Sequence, residues 1–210
     1  MSTIKNIIFD LGNVIIDLDI PRTTIEMGRL MRHPDKQNEV WATLEPTLLQ
    51  YETGFISDEL FINALIHHSR PNVYAQQVIR AWNAMLIDIP SERLGFIKEL
   101  KRRGYAVFLL SNTNAIHLDW VNKYMIKHYD APSLDLWFDK SYYSHLIQRR
   151  KPDVSCFEYV LSDAMIDHAE TLFIDDIYAN IEGAQAAGIR GLHLTGGHDL
   201  VSALKSYLSI

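Results

Sequence analysis

Three short segments of the chain are continuously apolar or nearly so: residues 4–10, 105–110 and 171–174. Runs of this length without polar alternation predict strands buried on both faces, as in a parallel sheet. Residues 138–143 predict a weaker strand and residues 190–194 an edge strand. Between these segments the apolar positions shift to helical spacing. Leu94, Ile97 and Leu100 form one stripe, Leu118, Val121 and Met125 another, and Phe157, Val160 and Leu161 a third. Two more helices are expected over residues 181–187 and 201–208. Gly104 and Gly188 stand where helix-terminating glycines belong.

Residues 17–88 lack this alternation. Val40, Trp41, Leu44 and Leu48 keep helical spacing, with Pro46 marking a kink or a new start. Ser57-Asp58-Glu59 reads as an N-cap with an acidic first turn, followed by a stripe at Leu60, Phe61, Ala64 and Leu65. Val78, Ile79, Trp82 and Met85 continue the pattern. Several helices and no clear strand are expected here. The predicted fold is therefore α/β: a Rossmann-like parallel sheet with helices on both faces, formed by residues 1–16 and 89–210. Residues 17–88 form an inserted α-helical domain.

Charge and composition narrow the function. A net charge of −6 and a pI near 5.8 provide no concentrated basic face for nucleic acid. No apolar run approaches the roughly 18 residues of a membrane span, and the first residues do not follow a secretory pattern. A cytoplasmic protein with neither nucleic-acid nor membrane partners is expected, as a monomer or homodimer. Cys156 is the one cysteine, so no internal disulfide forms, and beside Phe157 it reads as core filling.

The chemistry lies at the strand ends. Asp10 follows the first apolar run, Ser111-Asn112 the second and Asp175-Asp176 the third. Strands of a parallel sheet end along one edge, where ligands bind. Lys151 precedes Pro152, which restrains its backbone. Carboxylates gathered at one edge repel unless a cation joins them, and oxygen ligands without histidine or thiol favour Mg²⁺. A carboxylate beside such an ion can attack a phosphoryl group. Lys151 and Ser111 can hold the phosphoryl oxygens.

The order Phe-Asp-Leu-Gly-Asn-Val (9–14), Leu-Leu-Ser-Asn-Thr-Asn (109–114), Lys-Pro-Asp (151–153) and Phe-Ile-Asp-Asp-Ile-Tyr-Ala-Asn (173–180) resembles the four motifs of the haloacid dehalogenase superfamily. The insertion resembles that superfamily's C1 cap. The Asp-Leu-Gly-Asn-Val form and the Ser-Asn-Thr-Asn run are similar to the bacterial glucose-1-phosphate phosphatase branch, and the phosphatase domain of soluble epoxide hydrolases is a more distant resemblance. The resemblance implies a Mg-dependent phosphatase acting on a small phosphorylated metabolite, such as a sugar phosphate, through an aspartyl-phosphate. It makes Asp10 the nucleophile and a metal ligand, and the Gly12 carbonyl a second ligand. Ser111, Asn112 and Lys151 would hold the phosphoryl group. Asp176 would be the main remaining metal ligand, supported by Asp175 and Asn180.

Where most such phosphatases carry a second aspartate as general acid/base, this chain has Gly12. Asp17, Asp19 and His33 are the substitutes considered. A metal-independent dehalogenase-type hydrolase and a non-catalytic phosphate-binding module are the alternatives, because neither needs that second aspartate. The first would leave Asp175-Asp176 without a purpose. Phe55, in a turn of the insertion, is a candidate substrate contact. His67, His68, His193 and His198 read as surface or structural residues.

Overall fold

The computed structural model describes residues 3–195 and 199–210. A five-stranded sheet lies at its centre in the order β5-β4-β1-β6-β7, formed by β1 (Asn6–Phe9), β4 (Ala106–Ser111), β5 (Lys140–Tyr143), β6 (Thr171–Asp175) and β7 (Arg190–His193). Every pairing in it is parallel. The continuous apolar runs have the expected cause. Along β1, Ile7 and Phe9 enter one core while Ile8 enters the other; Val107 and Leu109 oppose Phe108 and Leu110 in the same way on β4.

Helices cover both faces. Helices α5 (Ser91–Arg102), α6 (Ala115–Tyr129) and α10 (Leu200–Leu208) supply Ile97, Leu100, Met125 and Leu204 to one core. Helices α8 (Val154–Ala164) and α9 (Tyr178–Ala186) supply Phe157, Val160 and Ile181 to the other. Cys156 is fully buried there, and burial pushes its thiol up to about 11. It is core filling, as expected. A short α7 (Ser144–Ile147) follows β5.

Between β1 and α5 the chain forms α1 (Ile20–Leu30), α2 (Gln37–Glu52), α3 (Asp58–His67) and α4 (Ala75–Trp82). They close round their own core of Met27, Leu44, Tyr51, Phe61 and Trp82, which Ile116 of α6 joins from the sheet side. Ser57 caps α3, its hydroxyl accepting from the Leu60 amide. Helix α2 runs through Pro46, so no new helix starts there. One sequence expectation fails in this region. The region contains strands: β2 (Asp17–Leu18) pairs antiparallel with β3 (Leu86–Asp88). Each is too short to show an alternating pattern. They form because the outgoing and returning chains run side by side and satisfy each other's backbone groups. Among the described residues, no helix is long and apolar enough to cross a membrane.

Candidate active site

The carboxyl ends of β1, β4 and β6 lie side by side because the three strands are adjacent and in register. Asp10 follows β1 directly, Ser111 ends β4, and Asp175 ends β6. Lys151 comes from the turn before α8, at a cis Lys151-Pro152 peptide. Its Nζ donates to Asp10 Oδ1 at 2.5 Å and to Asp175 Oδ2 at 2.7 Å. The lysine is 1% exposed and Asp175 is fully buried. A buried ammonium is tolerable only with such partners.

The remaining polar atoms hold this pair in place. Asp175 Oδ1 accepts from the Ile177 amide at 2.8 Å, and the Asn180 amide donates to both Asp175 oxygens. Asn112 grips the lysine from behind: its Nδ2 donates to the Lys151 carbonyl at 2.8 Å, and its Oδ1 accepts from the Lys151 amide at 2.9 Å. Both ends of its amide are engaged on Lys151, because the chain needs a partner for that buried peptide.

Burial raises the Asp10 carboxyl to about 7. Lys151 pulls it down and Asp175 pushes it up again. Burial also works against the Lys151 charge, but the two carboxylates outweigh it and hold the ammonium above its ordinary value. Oxygens of Asp10, Asp175 and Asp176 lie within 4.8 Å of one another. Among the described residues Lys151 is the ammonium that pairs with this cluster, so carboxylates outnumber ammonium groups three to one. An all-oxygen cluster with that surplus fits a hard divalent cation. Asp176 is half-buried and anchored by Asn13, whose Nδ2 donates to its Oδ2 at 2.8 Å.

Asn13 was missed as a site residue. It takes a left-handed backbone with φ of 52° and also accepts from the Leu18 amide. An asparagine after glycine at a strand exit is the signal for such a turn. Gly12 makes an isolated bridge to Ile16. A Cβ at Gly12 would sit 2.7 Å from Leu18 Cδ1 and 3.8 Å from Asp10 Oδ2. A side chain at this position would therefore require the Leu18 methyl to shift.

A cavity of about 440 Å³ opens beside the cluster, reaching Gly12, Ser111 and Asn112 on the sheet side. Its other wall comes from the helical region, with Trp41, Leu48, Glu52 and Trp82. His117 and Arg150 complete the polar lining. Sequence reasoning missed Glu52, His117 and Arg150, since nothing local marks them. Glu52 is held above the ordinary carboxyl range by burial, with Arg150 Nη2 3.3 Å away opposing the shift. Asp17, Asp19 and His33 do not line the cavity. Asp17 instead pairs with Arg93 at 2.7 Å, Asp19 precedes α1, and His33 is exposed. Phe55 is also exposed and outside the lining. His67 is exposed and His68 half-buried, their rings edge to face. His193 Nε2 bonds the Asp176 carbonyl at 3.0 Å, a structural contact. His198 lies outside the described residues.

Comparison with known proteins places this geometry. The chain is 28% identical to a D-ribitol-5-phosphate phosphatase of Bacteroides thetaiotaomicron, over 93% of this chain and 94% of that protein. It is 30% identical to a sesquiterpene phosphatase of Aspergillus oryzae, covering 92% of this chain and 91% of the other. A haloacid dehalogenase family enzyme of Bacteroides thetaiotaomicron, solved with magnesium and inorganic phosphate, superposes with a TM-score of 0.84 at 35% identity, over 93% of this chain and 96% of that one. The family model for haloacid dehalogenase-like hydrolases matches residues 4–188. The chain therefore belongs to the haloacid dehalogenase-like hydrolase family, as a phosphatase-type member.

Proposed function

We propose that this protein is a magnesium-dependent phosphatase that hydrolyses a small phosphorylated metabolite through an aspartyl-phosphate on Asp10. The observation that carries the reading is the buried Lys151 ammonium between Asp10 and Asp175, with the Asp176 carboxylate beside them. Asp10, Asp175, Asp176 and the Gly12 carbonyl are the groups that would hold Mg²⁺. When bound, the ion supplies Lewis-acid charge that lets a dianionic phosphoryl group approach a carboxylate.

This chain's own residues do the rest. An Asp10 carboxylate oxygen attacks phosphorus, and the bond from phosphorus to the alcohol oxygen breaks, its electron pair leaving with that oxygen. Lys151 offsets the charge of Asp10 and of the phosphoryl oxygens. The Ser111 hydroxyl, 3% exposed at the end of β4, donates to one of those oxygens. Asn112 acts through the Lys151 backbone and Asn180 through Asp175. Water then attacks the phosphorus of the aspartyl-phosphate, releasing inorganic phosphate and restoring Asp10. Gly12 carries no proton donor, so the departing alcohol takes its proton from water. In this reading residues 17–88 are a cap over a core of residues 1–16 and 89–210, and they face the alcohol part of the substrate.

The test is hydrolysis of phenyl phosphate with Mg²⁺ and with EDTA, using the natural chain and Asp10→Asn. Turnover with Mg²⁺ alone, abolished by either change, is expected. Activity that survives both changes overturns the reading. Halide release from a 2-haloacid in EDTA would replace it with a dehalogenase. L-2-haloacid dehalogenase structures do share this fold, with a TM-score of 0.66 at 14% identity for one of them.

A further inference from the structure

One wall of the cavity beside the cluster is largely apolar. Leu11, Leu18, Trp41, Leu48, Trp82 and Met85 line it. Ile20 and Ile177 also line it and are 55% exposed, so apolar surface extends into the open chain. At about 440 Å³ the space is within the ~300–1,000 Å³ range of small-molecule sites.

Several polar side chains in the same wall are turned to one another, while the Trp41 Nε1 and Arg150 Nε donors have no partner. Asn114 Oδ1 caps α6 by accepting from the His117 amide at 3.1 Å, and its Nδ2 meets His117 Nδ1 at 3.2 Å. His117 Nε2 lies 3.2 Å from the Trp82 carbonyl, so this nitrogen carries the proton and Nδ1 accepts. Both ring nitrogens are therefore used. Thr23 Oγ1 donates to the same carbonyl at 2.9 Å and accepts from the Met85 amide at 3.0 Å. Asn112 is spent on Lys151. Glu52 and Arg150 face each other, and the Arg150 Nε is buried without a partner. At the position where an acid would reach the leaving oxygen, Gly12 looks onto the Leu18 methyl.

A polyol lying against Leu11, Leu18, Leu48 and Met85 gives up its hydration and finds no partner in those side chains, and each buried unpaired hydroxyl costs free energy. An apolar group of the same size loses no hydrogen bonds and gains buried area. From this we infer that the alcohol portion of the substrate is apolar: the cavity takes a hydrophobic phosphomonoester in preference to a sugar or polyol phosphate. The inference rests on the phosphatase reading above. It makes Trp41 and Leu48 specificity-determining residues for that reaction.

The test compares esters of matched size and leaving-group type. Cyclohexylmethyl phosphate and glucose 6-phosphate are both phosphates of a primary alcohol on a six-membered ring, and ribitol 5-phosphate is the open-chain polyol. With Mg²⁺ present, kcat/KM for the cyclohexylmethyl ester is expected to exceed that for both polyol phosphates by roughly 10–100-fold, the discrimination an apolar pocket exerts against added hydroxyls. The difference should lie in KM, because these contacts form in the ground state as well. Leu48→Asn, which adds a hydrogen-bonding group to the wall, should narrow the ratio by roughly 3–10-fold while leaving phenyl phosphate turnover measurable. Trp41→Phe should largely keep the ratio. Equal or better turnover of either polyol phosphate overturns the inference and leaves the phosphatase reading intact. An unchanged ratio in Leu48→Asn overturns the assignment of that wall. No turnover of any ester, phenyl phosphate included, overturns the phosphatase reading and the inference with it.

Discussion

The two sides of the cavity are both buried and both polar in part, yet they are built in opposite ways. At the sheet edge, three carboxylates meet one ammonium and charge is left over. On the facing wall, Asn114 bonds His117, and His117 and Thr23 both bond the Trp82 carbonyl in a neutral network, while Glu52 there is matched by Arg150. His117 even stacks on the Trp82 ring, with centroids 5.1 Å apart. A surplus of buried charge is costly and persists where something binds to it or reacts with it. A closed neutral network costs little and serves to hold a shape. The difference separates the residues that do chemistry from those that shape the space beside it.

Four measurements would break or sharpen that contrast. Asp10→Asn is expected to have the largest effect, a loss of roughly 10⁴-fold or more in kcat on phenyl phosphate, since a nucleophile cannot be partly replaced. A residual rate within tenfold of the natural chain would remove Asp10 from the chemistry. Lys151→Met should come next. It strands two carboxylates at a buried site and should cost about 3–5 kcal/mol of stability, read by urea unfolding in EDTA. A loss below about 1 kcal/mol would mean that the cluster behaves like a surface ion pair.

On the neutral wall the signature is pH dependence. Burial lowers His117 to about 4 from an ordinary 6.5. Between those values the unfolded chain binds a proton that the folded chain refuses. The stability is therefore fully present above pH 6.5 and is lost as pH falls toward 4, by about 3 kcal/mol in total. His117→Gln should flatten the unfolding curve across that window relative to the natural chain, and identical slopes would show that His117 is not buried neutral. The smallest effect is expected from Asn112→Ala, which frees the Lys151 amide and carbonyl. It should cost about 1–3 kcal/mol in stability and raise KM more than it lowers stability-independent binding of an apolar ester to the opposite wall. An unchanged KM would mean that Lys151 needs no such brace.

The sheet was legible because fully buried parallel strands write themselves as unbroken apolar runs. Ile7-Ile8-Phe9 and Leu172-Phe173-Ile174 need no context to be recognised. The strand-end residues Asp10, Ser111 and Asp175 were legible for the same reason, since a polar group abutting such a run has no structural use there. By contrast, β2 and β3 were invisible. Strands this short form only because two chain segments enter and leave the helical region together. Pro46 lies inside α2 and starts no new helix.

What the sequence determined by itself was the sheet, the order of the motifs along it, and the charged residues at one edge, all set by local patterns of period and polarity. What only the tertiary structure decided was how those groups are used. The Asn112 side-chain amide, for one, is found on the Lys151 backbone. Glu52, His117 and Arg150 carried no local mark, yet they line the cavity with Trp41 and Trp82. Their partners lie many residues away, Glu52 meeting Arg150 and His117 meeting the Trp82 carbonyl. Hydrogen-bond satisfaction depends on which distant atoms the fold brings within reach, and sequence spacing does not encode that distance.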